Sequence, residues 1–278
     1  MLRRAVLALG LVLVALTPLR AAAQGDPIAD LARVLDLPRL FSVLRAEGVD
    51  HGDDLDETLL GGSGGARWQA LVAAIHDPDR MQTVALARLR SELDGQDAAL
   101  ARIVAFFGSE QGARIVSLEL AAREAYRDPV VEDAARLAWE EMRAEAGPRV
   151  AQIDRLVEAN DLIEQNIAGA MNGNLAFYRG MLDGGAPGET VPDGDMMADL
   201  WSQEPMIRAE TEGWLMPYLA MAYQPLSDAD LEAYIAFSLT SEGQVLNRAL
   251  FAAFDALFNA LSRDLGLAAA RLMAGQDL

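Results

Sequence analysis

Gly61-Gly62-Ser63-Gly64-Gly65 fits the nucleophile-elbow string G-x-S-x-G. A serine of that kind sits between a strand and a helix, with a histidine and an acid in reach. No strand pattern precedes it here, and five small residues in a row spell a flexible connector. His51 and His76 are the chain's two histidines. Each has carboxylate neighbours that could set up a general base: Asp50, Asp53 and Asp54 for His51, Asp77 and Asp79 for His76. Neither belongs to an H-E-x-x-H string or a Glu-x-x-His pair. Both read as ordinary polar residues, His76 at a helix end. Two acidic clusters carry oxygen ligands of the kind calcium takes. One is Asp50, Asp53, Asp54, Asp56 and Glu57; the other is Glu189, Asp193, Asp195 and Asp199. Neither follows the D-x-D-x-D-G loop, so both read as solvated acidic loops, with weak calcium binding as the alternative. The residues therefore nominate no catalytic group, no cofactor site and no metal ligand.

Composition narrows the function classes further. The chain has 278 residues, with 23 basic and 42 acidic side chains, and a net charge of −19. Every basic residue is Arg. That balance argues against a nucleic-acid binder, which needs a basic face. With no Cys in the chain, disulfides, thiolate zinc sites, cysteine nucleophiles and lipoprotein acylation are excluded. An apolar share of 52% supports substantial cores. The start of the chain has the order of an export signal. Arg3 and Arg4 precede an apolar run, Ala5 to Leu16, and Ala21-Ala22-Ala23 offers small residues for cleavage after Ala23. The run falls short of the ~20 residues a membrane span takes. A bacterial periplasmic or secreted destination follows, with no stable membrane insertion after cleavage.

The remainder reads as helix after helix, with apolar residues at three- and four-residue spacing and no alternating strand run. Asp26-Pro27, Asp77-Pro78 and Asp128-Pro129 each place a capping acceptor before a proline suited to the first helical turn. Helices are expected near 27–47, 66–76, 78–94, 97–107, 110–127, 129–146, 149–171, 174–183, 195–203, 205–223, 228–238 and 242–264. Residues 97–125 and 228–256 match at nine of 29 positions at a constant offset of 131. The informative identities are Asp97/Asp228, Leu100/Leu231, Phe106/Phe237 and Gly112/Gly243, with Ser109/Thr240 as a similar pair. Ser109 and Thr240 can cap the next helix, and the two glycines then fall in its first turn, where tight packing is expected. Residues 34–49 resemble 156–171 at an offset of 122, which predicts about nine extra residues in the second copy.

The core of each repeat resembles the signature of the DUF2059 family of exported bacterial helical proteins of unknown function. That pattern is an acidic-leucine helix, Phe-Tyr, a spacer, Ser/Thr-Pro, one residue, and Gly. Here it stands as Phe106-Phe107-Gly108-Ser109-Glu110-Gln111-Gly112 and as Phe237-Ser238-Leu239-Thr240-Ser241-Glu242-Gly243. Glu110 and Ser241 occupy the proline position, and the second copy lacks the second aromatic. The resemblance implies an exported all-helical protein and brings no catalytic residue. Phe106, Ser109, Gly112, Phe237, Thr240 and Gly243 read as structural motif residues.

The expected architecture is all-α, a compact antiparallel helical array built from two tandem halves. Residues 1–23 form the signal, 27–127 the first half, 128–148 a connecting helix, 149–264 the second half and 265–278 a tail. Trp139, Met142, Met196, Met197, Trp201, Trp214, Met216 and Tyr218 are expected to fill the core or to line a partner groove. The amphipathic stretch from Leu250 to Met273, with Phe251, Phe254, Leu257, Phe258 and Leu261, is expected to pack on the body or on another chain. The favoured function is a non-enzymatic protein-interaction or chaperone-like module of the cell envelope. The alternatives are a hydrolase with a carboxylate-based site, working through two acids of separated pKa, and the weak calcium module.

Overall fold

The computed structural model describes residues 26–185, Ala198 and residues 201–275. The expected export signal, the acidic group Glu189, Asp193, Asp195 and Asp199, and the pair Met196 and Met197 lie outside the described residues. Among the described residues the chain is all-α, packed as one compact array. Its elements are α1 (Pro27–Val34), α2 (Leu37–Leu59), α3 (Gly65–Ile75), α4 (Pro78–Glu92), α5 (Asp97–Phe107) and α6 (Glu110–Ala125). There follow α7 (Pro129–Glu145), α8 (Pro148–Ala159), α9 (Leu162–Asp183), α10 (Glu204–Tyr223), α11 (Asp228–Ser238) and α12 (Ser241–Met273). The aspartate caps work as the sequence suggests. Asp26, Asp77 and Asp128 accept hydrogen bonds from Ile28 N at 3.0 Å, Asp79 N at 3.1 Å and Val130 N at 2.9 Å. Each relieves a helix-start amide that has no partner within the helix.

Five boundaries differ from the periodicity reading. The expected helix 27–47 breaks at Asp36, which takes a left-handed backbone (φ 45°), and resumes as α2. The helix then runs on through the acidic cluster, which is therefore helix surface rather than a loop. Gly48 and Gly52 let it continue against α3: a Cβ on either would collide with the His76 ring or with Val72. The expected helix 149–171 breaks in the same way at Asp161 (φ 51°). α9 then crosses the expected gap near residue 172 without interruption. Finally, α12 extends through most of the expected tail, because Leu265, Ala268, Ala269 and Ala270 continue its buried face.

Two apolar cores form, and each draws on both sequence halves. The first joins α1 to α5 with a long face of α12, from Leu246 to Ala269. The second joins α7, α8, α10 and α11 with Ile115 and Ala122 of α6. The exchange is reciprocal: α4 packs on α12 while α10 packs on α6. Trp139, Leu215 and Tyr218 are core residues, as are Leu257 and Leu261, whereas Trp201 is exposed. The tightest seam is α9 on α12. A Cβ at Gly180 would lie 2.9 Å from Leu267 N, and one at Gly266 3.0 Å from Met181 N.

Candidate functional site

The six motif residues fall into two matching clusters. Ser109 Oγ accepts from Gly112 N at 3.1 Å and donates to Phe106 O at 2.6 Å. Thr240 Oγ1 accepts from Gly243 N at 3.0 Å and donates to Phe237 O at 2.6 Å. A Cβ on Gly112 would lie 2.6 Å from Phe107 Cα, and one on Gly243 2.9 Å from Ser238 Cα. Each glycine thus lets a helix start hard against the end of the one before it. The clusters also meet. Phe106 and Phe237 stack with ring centroids 3.9 Å apart and planes 6° apart. Arg102 of α5 pairs with Glu242 at the start of α12, while Gln111 at the start of α6 reaches Asp230 of α11. These side chains cap, approach and pack; none faces a reactive group. Ser109→Ala and Thr240→Ala are each expected to cost ~1 kcal/mol, because each frees a first-turn amide. Urea unfolding of the two variants checks this.

The upstream match takes a different register from the one expected. Asp36 and Asp161, both left-handed, are 125 apart. Their backbone bonds repeat at that spacing: Leu35 N to Leu31 O with Asn160 N to Leu156 O, and Leu40 N to Asp36 O with Gln165 N to Asp161 O. These paired turns stand 125 residues apart, where the sequence comparison used 122.

Beside the stacked phenylalanines lies a cavity of about 100 Å³. Its wall includes Leu35, Phe107, Glu119, Asn160, Tyr234, Phe237, Ser238, Asn247 and Leu250. Glu119, on α6, is held from two sides. Tyr223 OH donates to its Oε1 at 2.5 Å, and Tyr218 OH donates to its backbone carbonyl at 2.9 Å. The Tyr234 hydroxyl also interacts with the carboxyl. Glu119 is half-buried as a residue, but its carboxyl is shut away from bulk water, and its remaining surface lines the cavity. Burial raises its pKa above the ordinary 4.5, and the tyrosine hydroxyls pull back only part of that rise. Burial and the nearby carboxyl push Tyr223 and Tyr234 well above the ordinary tyrosine value. One turn along α6, Arg123 is engaged elsewhere, by a two-pronged pair to Glu47 at 2.8 and 2.9 Å.

The sign of the resulting pH dependence follows from linkage. Folded Glu119 keeps a proton that the unfolded chain releases above 4.5. Its contribution to stability is complete below that pH and is lost as pH rises through the folded-state value. Glu119→Gln keeps the shape and removes the titration. Its denaturation midpoint is expected to fall less than the wild-type midpoint as pH rises above 4.5. Superimposable profiles would show that another group carries the dependence.

Sequence reasoning did not single out Glu119, Asn160, Tyr223, Tyr234 or Asn247. One signal was available: Glu119 sits in the apolar row Ile115, Glu119, Ala122, where a buried face has no ordinary use for an acid. Of the motif residues it named, Phe237 and Gly243 line the cavity; the catalytic and metal candidates it weighed are placed apart from it. Ser63 lies in the α2–α3 connector, where Gly61, Gly62 and Gly65 all have positive φ. Its hydroxyl donates to Leu60 O. His76 is buried, its Nδ1 2.9 Å from Val72 O, and desolvation lowers its pKa. His51 is exposed. Asp50 pairs with Arg127, and Asp56 accepts from Gly64 N. Among the described residues no group of three or more acids or histidines is arranged to hold a metal. The cavity wall offers one carboxyl where a two-acid hydrolase needs two. Among the same residues no helix is long and apolar enough to cross a membrane.

No family model, no curated protein and no solved structure matches the chain. The likeness to DUF2059 rests on the residues quoted for it above.

Proposed function

We propose that the chain is an exported, tandemly duplicated helical module of DUF2059 type, and that it works without catalysis, through protein contacts. The order Arg3-Arg4, apolar run and Ala21-Ala22-Ala23 supports export. The equal capping geometry at Ser109 and Thr240, and the paired turns at Asp36 and Asp161, support duplication.

The observation that carries the interaction reading is the outer face of α7, the helix between the two halves. Its inner face buries Ala135 and Trp139. Its outer face leaves Val130 75% and Leu137 55% exposed, two turns apart on one side. Large apolar side chains in a row on a monomer's surface mark a contact site. The same helix carries five acids, Glu132, Asp133, Glu140, Glu141 and Glu145, against Arg136 and Arg143. Arg136 is already paired with Asp133 at 2.8 Å. An apolar row edged by acids fits a basic amphipathic helix, whose leucines cover the row and whose cations meet the acids.

The test uses a labelled Leu/Lys amphipathic peptide and fluorescence anisotropy. The double variant Val130→Glu, Leu137→Glu is expected to weaken binding about tenfold or more. Leu239→Glu, at an exposed site on another helix end, is expected to leave it unchanged. Equal losses in both proteins, or none in the α7 variant, would overturn the assignment.

A further inference from the structure

The cavity lies where the two matched clusters meet, so its wall can be compared position by position. At the offset of 131, Glu119 corresponds to Leu250, Tyr234 to Ile103, Asn247 to Val116 and Ser238 to Phe107. At the offset of 125, Asn160 corresponds to Leu35. In each of these five pairs one member is polar and the other apolar; the polar member lines the cavity in all five, and the apolar member lines it as well at Leu35, Phe107 and Leu250. A seam serving only to hold two halves together is best built from apolar partners on both sides, since a buried carboxyl costs stability. Polar character has instead accumulated in one place, around an opening.

The chemistry of that wall has a definite sign. Its one ionisable acid is Glu119, and no basic side chain is among the partners of that carboxyl in the described residues. The hydrogen bonds of Asn160 and Asn247 use their amide nitrogens, to Leu156 O at 3.0 Å and Asn160 O at 2.9 Å. Three aromatic rings, Phe107, Tyr234 and Phe237, complete the wall. Ring faces and a carboxylate both attract cations, and both do so more strongly away from water. The net charge of −19 also enriches cations at the surface. A six-atom benzene ring occupies an engineered cavity of about 150 Å³. The 100 Å³ here suits a slightly smaller body.

We propose that this cavity binds a small organic ammonium ion, with its charge on the Glu119 carboxylate and its methyl or methylene groups against Phe107, Tyr234 and Phe237. The site is separate from the α7 face and does not depend on it. Where the free carboxyl holds its proton, binding drives that proton out, so affinity rises with pH until the carboxyl is ionised.

Calorimetry on the purified protein tests this with dimethylammonium chloride and, as an uncharged body of similar size, 2-propanol. The expected result is saturable dimethylammonium binding that tightens as pH rises. Its heat should vary with the ionisation enthalpy of the buffer, as proton release requires. 2-Propanol should bind about tenfold more weakly or worse, and Glu119→Gln should lose the ammonium binding to a similar degree. A wild-type measurement guards against a misfolded variant: the carboxyl ¹³C shift of Glu119 should titrate at lower pH when the ion is present. Absence of saturable binding, equal binding of 2-propanol, or an unmoved Glu119 titration would each overturn the proposal.

Discussion

Gly266→Ala is expected to destabilise the protein by about 3 kcal/mol or more, at the upper end of what overpacking costs. A single methyl rarely does so much. Here its neighbours are backbone: the Phe177 carbonyl and the Met181 amide nitrogen of α9. A side chain could rotate away, but a helix backbone moves only as a whole. The methyl therefore pushes apart the seam between α12 and α9, where Gly180 of α9 faces Arg263 and Leu267 of α12 in the same way. The melting temperature is expected to drop by roughly 6–12 °C, at ~2–4 °C per kcal/mol for a chain of this size class. Gly169→Ala and Gly213→Ala are the matched controls. Both glycines lie inside helices, and a Cβ at either meets nothing within 4 Å. There alanine is expected to stabilise by ~0.5–1 kcal/mol, through its better helix propensity. Opposite signs for one chemical change, read by thermal and urea unfolding, isolate the seam as the cause.

The fold was legible wherever short-range chemistry decides it. Asp26-Pro27, Asp77-Pro78 and Asp128-Pro129 announced three helix starts because cap and proline act within one turn. α5 and α11 kept the bounds expected of them, α11 with Ser227 as its cap, accepting from Asp230 N at 3.1 Å. What stayed hidden depended on partners distant in the chain. Nothing local makes Asp36 or Asp161 adopt a left-handed turn, and the helical pattern runs straight through both. Nothing local tells Gly48, Gly52 or Gly173 that a helix may continue, because that is decided by His76, Val72 and Ser262 from elsewhere.

The site was less legible than the fold, and Glu119 shows why. Its neighbours on the cavity come from α1, α5, α8, α11 and α12, so no spacing within one segment could assemble them. The matched segments 97–125 and 228–256 offered a partial way in. Aligning the matched segments at 131 sets Glu119 against Leu250, and an acid facing a leucine at matched half-buried positions is a departure that packing does not explain. Using that signal required knowing which faces are buried. It also required the correct upstream register, which depends on the two left-handed aspartates.

Gly112→Ala and Gly243→Ala carry the other large effect, and their comparison matters more than either alone. A methyl on Gly112 meets the Phe106 carbonyl and Phe107 Cα; one on Gly243 meets the Phe237 carbonyl and Ser238 Cα. In both cases the obstacle is the end of the preceding helix, fixed by a hydroxyl from Ser109 or Thr240 that spans the same carbonyl and the same amide. The strain cannot escape into the turn, because the turn itself is hydrogen-bonded across. Nor can it pass to the phenylalanine, because Phe106 and Phe237 press against each other. After the helix-propensity gain of alanine is deducted, each substitution is expected to cost about 2 kcal/mol. Urea midpoints for the two variants are expected to agree within about 0.5 kcal/mol. Two unrelated helix pairs have no reason to respond alike, since their surroundings, apolar on one side and lined by Glu119 and the asparagines on the other, are different. Two copies of one unit do, because the cost is set within the seven residues of the motif. A large cost at Gly112 with none at Gly243 would remove the argument that the chain was built by repeating one helical unit.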